Sequence, residues 1–294
     1  MKRLGLAFAG SLLCAPALAQ LAEYGIEGLW TVSTRAPELR AATSPDGRWI
    51  AWASQREGGA GGWDLWLARR EGSRWVDARP LPLNTAATET EPAWSGDGRW
   101  LYFASDRPGG AGGLDLYRVA LADGVAGAPE WLGTGVNTAA NERAPLEDPS
   151  GRWLLYAGNG PGGEGGYDLR LARRGGGGWQ AHGPVPGINT PADELDAAWL
   201  DGGRVLLFSR GSEADGRLRL WLAACDGRAY AAATPWSLSF NGEGGLTRAP
   251  VVDAARPADL LVSGTAPSPR AGAGDIYRVA APSLRGQDGC LPPH

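Results

Sequence analysis

Four glutamates, Glu38, Glu89, Glu142 and Glu194, recur at spacings of 51, 53 and 52 residues. Carboxylates repeated around one opening could hold a cation such as calcium, which takes oxygen ligands. They could instead receive a basic peptide, or be solvated and paired with neighbours such as Arg40, Arg143 and Arg248. A further possibility is glycoside hydrolysis, which needs one protonated and one ionised carboxyl in unlike environments. Here the acids stand in like surroundings from copy to copy, which favours symmetric binding or scaffolding over catalysis. The fifth copy lacks the acid and has Leu246 in its place. No cofactor is called for, and calcium is the one ion these acids could take. Other catalytic sets are poorly provided. His182 and His294 are the only histidines, no G-x-S-x-G elbow occurs, and no cysteines have zinc spacing.

Two sets of aspartates recur as well. Asp46, Asp97 and Asp201 lie in turns, where aspartate caps its own backbone. Asp64, Asp115, Asp168 and Asp275 begin apolar runs after glycine-rich loops and are placed to accept loop amides. Those loops read REGGAGGW, DRPGGAGGL and NGPGGEGGY. A lone loop of this kind suggests a phosphate cradle, but that chemistry needs a following helix N-terminus. Each of these leads into a strand, so each is a hairpin loop.

The elements that must position the acids follow from the repeats. The turns SPDG (44–47), SGDG (95–98), DPSG (148–151) and LDGG (200–203) each precede an arginine and a short apolar run. The runs are WIAWAS, WLYFAS, WLLYAG and VLLFSR, and a fifth copy runs VVDAARPADLLVSG over 251–264. A second strand follows each: DLWLARR, DLYRVAL, DLRLARR, RLWLAAC and DIYRVAA. Outer strands marked by Trp75, Trp131, Trp179 and Trp236 come next. The linkers NTAATETEP, NTAANERAP and NTPADELDA then open the following innermost strand. Four strands per period of about 52 residues describe propeller blades.

The expected fold is therefore all-β: a single β-propeller of four-stranded blades. There are five sets of second and third strands but only four internal outer strands. Residues Trp30 to Thr34 align with an outer strand and have no blade before them. The spacing predicts that 29–34 complete the last blade and close a five-bladed ring over 24–285, with 286–294 as a tail. Six blades would need one more unit. Most of the 14 tryptophans would then fill the spaces between sheets.

The first 19 residues read as a cleaved signal peptide, with basic Lys2 and Arg3, an apolar Leu4–Leu13 core and an A-x-A site ending at Ala19. Cys14 would suit a lipoprotein signal, but Leu13 before it is not small. No apolar run in the body is long enough to span a bilayer. The net charge of −4 leaves no basic stripe for nucleic acid or anionic membrane. After cleavage, Cys225 and Cys290 are an even pair, read as a disulfide in an oxidising compartment or else as two buried thiols.

The repeat SPDGRWIAWAS…DLW resembles the WD40-like repeat of the TolB family. Its fuller form, NT…E…P…DGRWLYFASDRPGGAGGLDLY, resembles repeats of outer-membrane proteins that carry an OmpA-type peptidoglycan-binding domain. The resemblance covers nearly all of 38–281. It implies a periplasmic propeller that binds other envelope proteins or peptides as a monomeric scaffold, not an enzyme. Neither the α/β domain of TolB nor the OmpA-type domain is recognisable in this sequence. The competing expectation is a carbohydrate-active propeller using channel carboxylates.

Overall fold

Short apolar runs separated by turns pair in order into five four-stranded antiparallel sheets in the computed structural model, which describes residues 23–211, 216–242 and 245–291. Strand β1 (Tyr24–Ile26) stands apart at the N-terminal end. Blade 1 is β2 (Glu38–Thr43), β3 (Trp49–Ser54), β4 (Asp64–Glu71) and β5 (Arg74–Pro80). Blade 2 is β6 (Glu89–Trp94), β7 (Trp100–Ser105), β8 (Asp115–Ala122) and β9 (Val125–Trp131). Blade 3 is β10 (Glu142–Glu147), β11 (Trp153–Gly158), β12 (Asp168–Gly175) and β13 (Gly178–Pro184). Blade 4 is β14 (Glu194–Leu200), β15 (Val205–Gly211), β16 (Leu218–Cys225) and β17 (Tyr230–Pro235). Blade 5 takes β18 (Thr247–Val252), β19 (Asp259–Gly264) and β20 (Asp275–Ala280), and β1 supplies its outer strand.

Burial grades outward through each blade for a packing reason. The second strands are apolar on both faces because each lies between two neighbouring sheets, and β3, β7 and β11 are almost wholly buried. The outer strand β9 borders solvent and is mostly exposed. Every innermost strand also carries a bulge, with a register shift after Leu39, Thr90, Arg143, Leu195 and Arg248. At each bulge one residue takes the left-handed region: Arg40, Glu91, Ala144, Asp196 and Ala249, with φ between 37° and 56°. Bulges re-aim side chains, and these re-aim the channel-facing ones.

The chain's start does close the ring, but through a different segment from the one the alignment suggests. Tyr24–Ile26 pair antiparallel with Tyr277–Val279. Residues 28–33 instead form a tight turn, in which the amides of Thr31 and Val32 donate to the Gly28 carbonyl at 2.8 and 2.6 Å. Ser33 is the residue that matches the other blades. Its Oγ accepts from the Ile276 amide at 3.0 Å. In the same way, the Asn84 side chain accepts from the Leu65 amide at 3.0 Å. The extra turn lengthens the link between outer strand and anchor, so an ungapped alignment slides the strand too far along.

The glycine loops act as clasps between blades. A Cβ on Gly112 would stand 2.5 Å from the backbone of Ala139 and Ala140, so the loop seats directly on the next blade's linker. Gly272 meets the Thr34 carbonyl in the same way at 2.2 Å, which carries the contact across the closure. Inside the loops, Asp64, Asp115, Asp168 and Asp275 accept backbone amides as the sequence suggests.

Asp46 and Asp97 cap their turns, each accepting a serine hydroxyl and an arginine amide. Asp201 does not. It receives Arg285 and the Gly286 amide from the C-terminal segment. That segment is bonded to β16 through Cys225–Cys290, across 65 residues of sequence. No helix among the described residues is long and apolar enough to cross a membrane. Residues 1–19, the expected signal peptide, and His294 lie outside the described residues.

Candidate binding face at the channel mouth

Glu38, Glu89, Glu142 and Glu194 occupy one blade position, the first residue of β2, β6, β10 and β14, and all four are buried. Each folds back on the threonine four residues earlier. The Thr34, Thr85, Thr138 and Thr190 hydroxyls donate to the carboxylates at 2.6, 2.7, 2.6 and 2.6 Å. The same threonines' amides donate to the second oxygen at 2.8–2.9 Å. Arginines complete three of the four: Arg56 at 3.1 Å, Arg107 at 3.0 Å and Arg210 at 2.6 Å. Burial pushes Glu38, Glu142 and Glu194 above the usual carboxylate range, with the threonine bonds pulling the other way. The acids do not stand as an open rim. Their oxygens are taken up in holding the linkers that frame the mouth.

The fifth blade needs a correction of register. Thr247 pairs with Gly264 as Glu142 pairs with Gly158, so Thr247 and not Leu246 holds the glutamate position. Its hydroxyl bonds to the Asn241 side chain. The polar link to the linker is kept without a charge.

Arg40, Arg143 and Arg248 do not pair with these glutamates. With Glu91 and Asp196 they form a set of five charges, one from each blade, that plugs the channel. Arg40 Nη1 lies 3.3 Å from Asp196 Oδ1, and its Nη2 donates to the Pro145 carbonyl at 3.1 Å. Arg248 reaches Asp196 Oδ2 and Glu91 Oε1, both at 3.0 Å. Arg143 grips Glu91 through Nε at 3.0 Å and through Nη2. The Arg40, Glu91 and Asp196 side chains are fully buried, whereas Arg143 and Arg248 retain 17% exposure. Burial alone would raise Glu91, but the three guanidiniums outweigh it and hold its carboxyl at about 2. Burial lowers Arg40, against the pull of Asp196 and Glu91.

This plug is the feature that reading the repeats misses. The signal was present: Arg40, Glu91 and Asp196 each follow a clasp glutamate by two residues. Unlike the glutamates they differ from blade to blade, so a search for repetition passes over them. At the other end the channel is apolar. Ala42, Ala93, Leu146, Ala198 and Val251 line a cup of about 390 Å³ beside Trp94 and Trp199. Among the described residues, no group of three or more His, Cys, Asp or Glu side chains is arranged to hold a metal ion.

By sequence, the chain matches no family model and no curated protein. Solved structures resemble it in fold. An endo-arabinase from Bacteroides thetaiotaomicron aligns at TM-score 0.57 and 12% identity, covering 90% of this chain and 99% of that one. Hydrazine synthase from Kuenenia stuttgartiensis aligns at TM-score 0.53 and 14% identity, over 85% of this chain and 39% of that one. TolB from Acinetobacter baumannii aligns at TM-score 0.49 and 12% identity, over 85% of this chain and 56% of that one. The chain is a five-bladed β-propeller, and its repeats resemble those of TolB.

Proposed function

We propose that this propeller is exported and serves as a protein-binding scaffold in the cell envelope. The observation that carries the reading is the treatment of the channel: all five blades contribute to a buried charge plug, and the mouth's repeated carboxylates are spent on linker clasps. A hydrolase needs carboxyls free to meet substrate, one of them protonated. A docking scaffold needs a firm face, and loops braced by buried ion pairs provide one. The four glutamates then serve the partner indirectly, by fixing the loops that touch it. The Cys225–Cys290 bond fits an oxidising compartment. The TolB-like repeats point to an envelope partner.

Glu57 and Glu164 are exposed in the glycine loops on the clasp side of the ring. Reversing both, Glu57→Lys with Glu164→Lys, should remove the partner captured by the wild-type chain from an envelope extract while leaving the fold intact. Capture is read by mass spectrometry. Retention of the same partner by the double variant would take this face out of the interaction.

A further inference from the structure

The seam between blades 1 and 2 differs from the 2/3 and 5/1 seams at the end of the innermost strand. Glu147 and Thr43 occupy the position that Trp94 holds in blade 2, the last residue of the innermost strand. At the blade 2/3 seam, Glu147 closes the gap by accepting from Tyr102 Oη and Arg174 Nη2, both at 2.5 Å. At the blade 5/1 seam, Thr43 donates to Asp253 at 2.5 Å, and Asp253 receives Arg278. At the blade 1/2 seam the ion pairing stays at the outer rim, where Arg48 Nη2 of blade 1 meets Asp123 of blade 2 at 3.0 Å. Trp94 donates to the Ala42 carbonyl at 3.1 Å, and a groove of about 590 Å³ remains open beside it.

Three indoles wall this groove: Trp49, Trp94 and Trp100. Guanidiniums hold two of them in place, with Arg79 5.5 Å from the Trp49 ring centre and Arg118 3.9 Å from that of Trp100. The buried Trp49 Nε1 has no hydrogen-bond partner. The rim is polar and already paired: Arg48 Nε lies 2.5 Å from Asp46, and Arg99 Nε lies 2.6 Å from Asp97. Paired side chains are held in position and largely cancel in charge. They still offer oxygens and N–H groups to a hydroxylated ligand, but little attraction to an ion.

We propose that this groove binds a neutral oligosaccharide chain. Indole faces suit the C–H faces of pyranose or furanose rings, since tryptophan joins a large apolar surface to a polar edge. The planar carboxylates and guanidiniums of the rim suit sugar hydroxyls. An acidic polymer would meet Asp46, Asp97 and Asp123 on the same rim, against two arginines. The site lies at the opposite end of the ring from the clasps, so it is independent of the proposed protein-binding face.

The test is affinity electrophoresis of the full chain in gels containing soluble arabinan, glucomannan or xyloglucan, with polygalacturonate as the acidic comparison. Ala122 is exposed and lines the groove, so Ala122→Arg fills it without removing core. The wild type should be retarded in at least one neutral gel. Ala122→Arg should bind at least about tenfold more weakly, with unchanged circular dichroism and melting temperature. Trp131→Ala, an exposed tryptophan outside the groove, should migrate like the wild type. Free migration of the wild type in all three neutral gels would overturn the proposal. So would equal retardation of Ala122→Arg, or retardation in polygalacturonate alone.

Discussion

Replacing Glu91 with glutamine is expected to cost about 3–5 kcal/mol, the range for breaking one partner out of a buried ion pair. Glu91 is the carboxylate on which Arg143 and Arg248 converge, and it also accepts the Ala144 amide at 2.9 Å. Glutamine keeps the size but not the charge, leaving three guanidiniums against Asp196 alone. The same residue contributes to the acid limb of stability, beside depressed carboxyls such as Asp253. Its folded carboxyl lies at about 2 against 4.5 for the free side chain. A depressed carboxyl contributes stability that is full above the unfolded value and lost as pH falls toward the folded one. Glu38, Glu142 and Glu194 act oppositely, because burial raises them. Their contribution is full below 4.5 and declines as pH rises through their folded values. The melting temperature of the wild type should therefore be highest in mild acid and fall steeply between about pH 4.5 and 2. Glu91→Gln should start lower at neutral pH and fall less steeply, the remaining fall coming from depressed carboxyls such as Asp253. Parallel profiles for the two proteins would refute the plug's role.

Removing the disulfide, as Cys225→Ser with Cys290→Ser, should cost about 4 kcal/mol by loop entropy for a closed loop of this size. The bond ties the C-terminal segment to β16, and further contacts depend on that placement. The Gln287 amide donates to the Cys225 carbonyl at 2.8 Å, and Arg204 Nε meets Asp288 at 2.9 Å. Cys290 and Cys225 also sit in the core cluster formed with Trp153, Phe208 and Tyr230. Freed of the bond, the tail should detach before the ring opens. Urea unfolding of the double variant, or of the wild type under reductant, should show a lower midpoint. Protection of the Gln287 amide from hydrogen exchange should be lost first. An unchanged midpoint would mean that the tail's other contacts hold it without the bond.

The fold was legible in the sequence because the period is carried by residues that blade geometry requires. The Asp–Arg turns, the apolar second strands and the double-glycine loops all recur, and each has one structural use. The closing strand was displaced because Tyr24–Ile26 is short and carries no tryptophan, whereas Trp30 imitates the outer-strand marker. Trp30 instead sits in a turn at φ 67° with 61% of its surface exposed. The candidate site was half legible. Repetition located the glutamates, but it could not show that the recurring threonines reach back to them. The plug was hidden for a different reason. Its members alternate in sign from blade 1 to blade 5 and leave Arg248 beside Arg40 at the closure, so the bonds that matter join Arg248 of blade 5 to Asp196 of blade 4 and Glu91 of blade 2. Such pairing is visible only once the five inner strands converge.

The threonine–glutamate clasp is the unit that holds the linker in four of the five blades. Its most direct test is a double-mutant cycle on Thr85→Val and Glu89→Gln, read by urea and thermal unfolding. The clasp predicts that Glu89→Gln alone loses about 2 kcal/mol, as for a charged hydrogen bond with a buried partner. It also predicts that the two changes couple by at least about 1 kcal/mol. If Glu89→Gln melted with the wild type, or the two effects simply added, the glutamates would be free acids at the mouth and the braced face would have no basis.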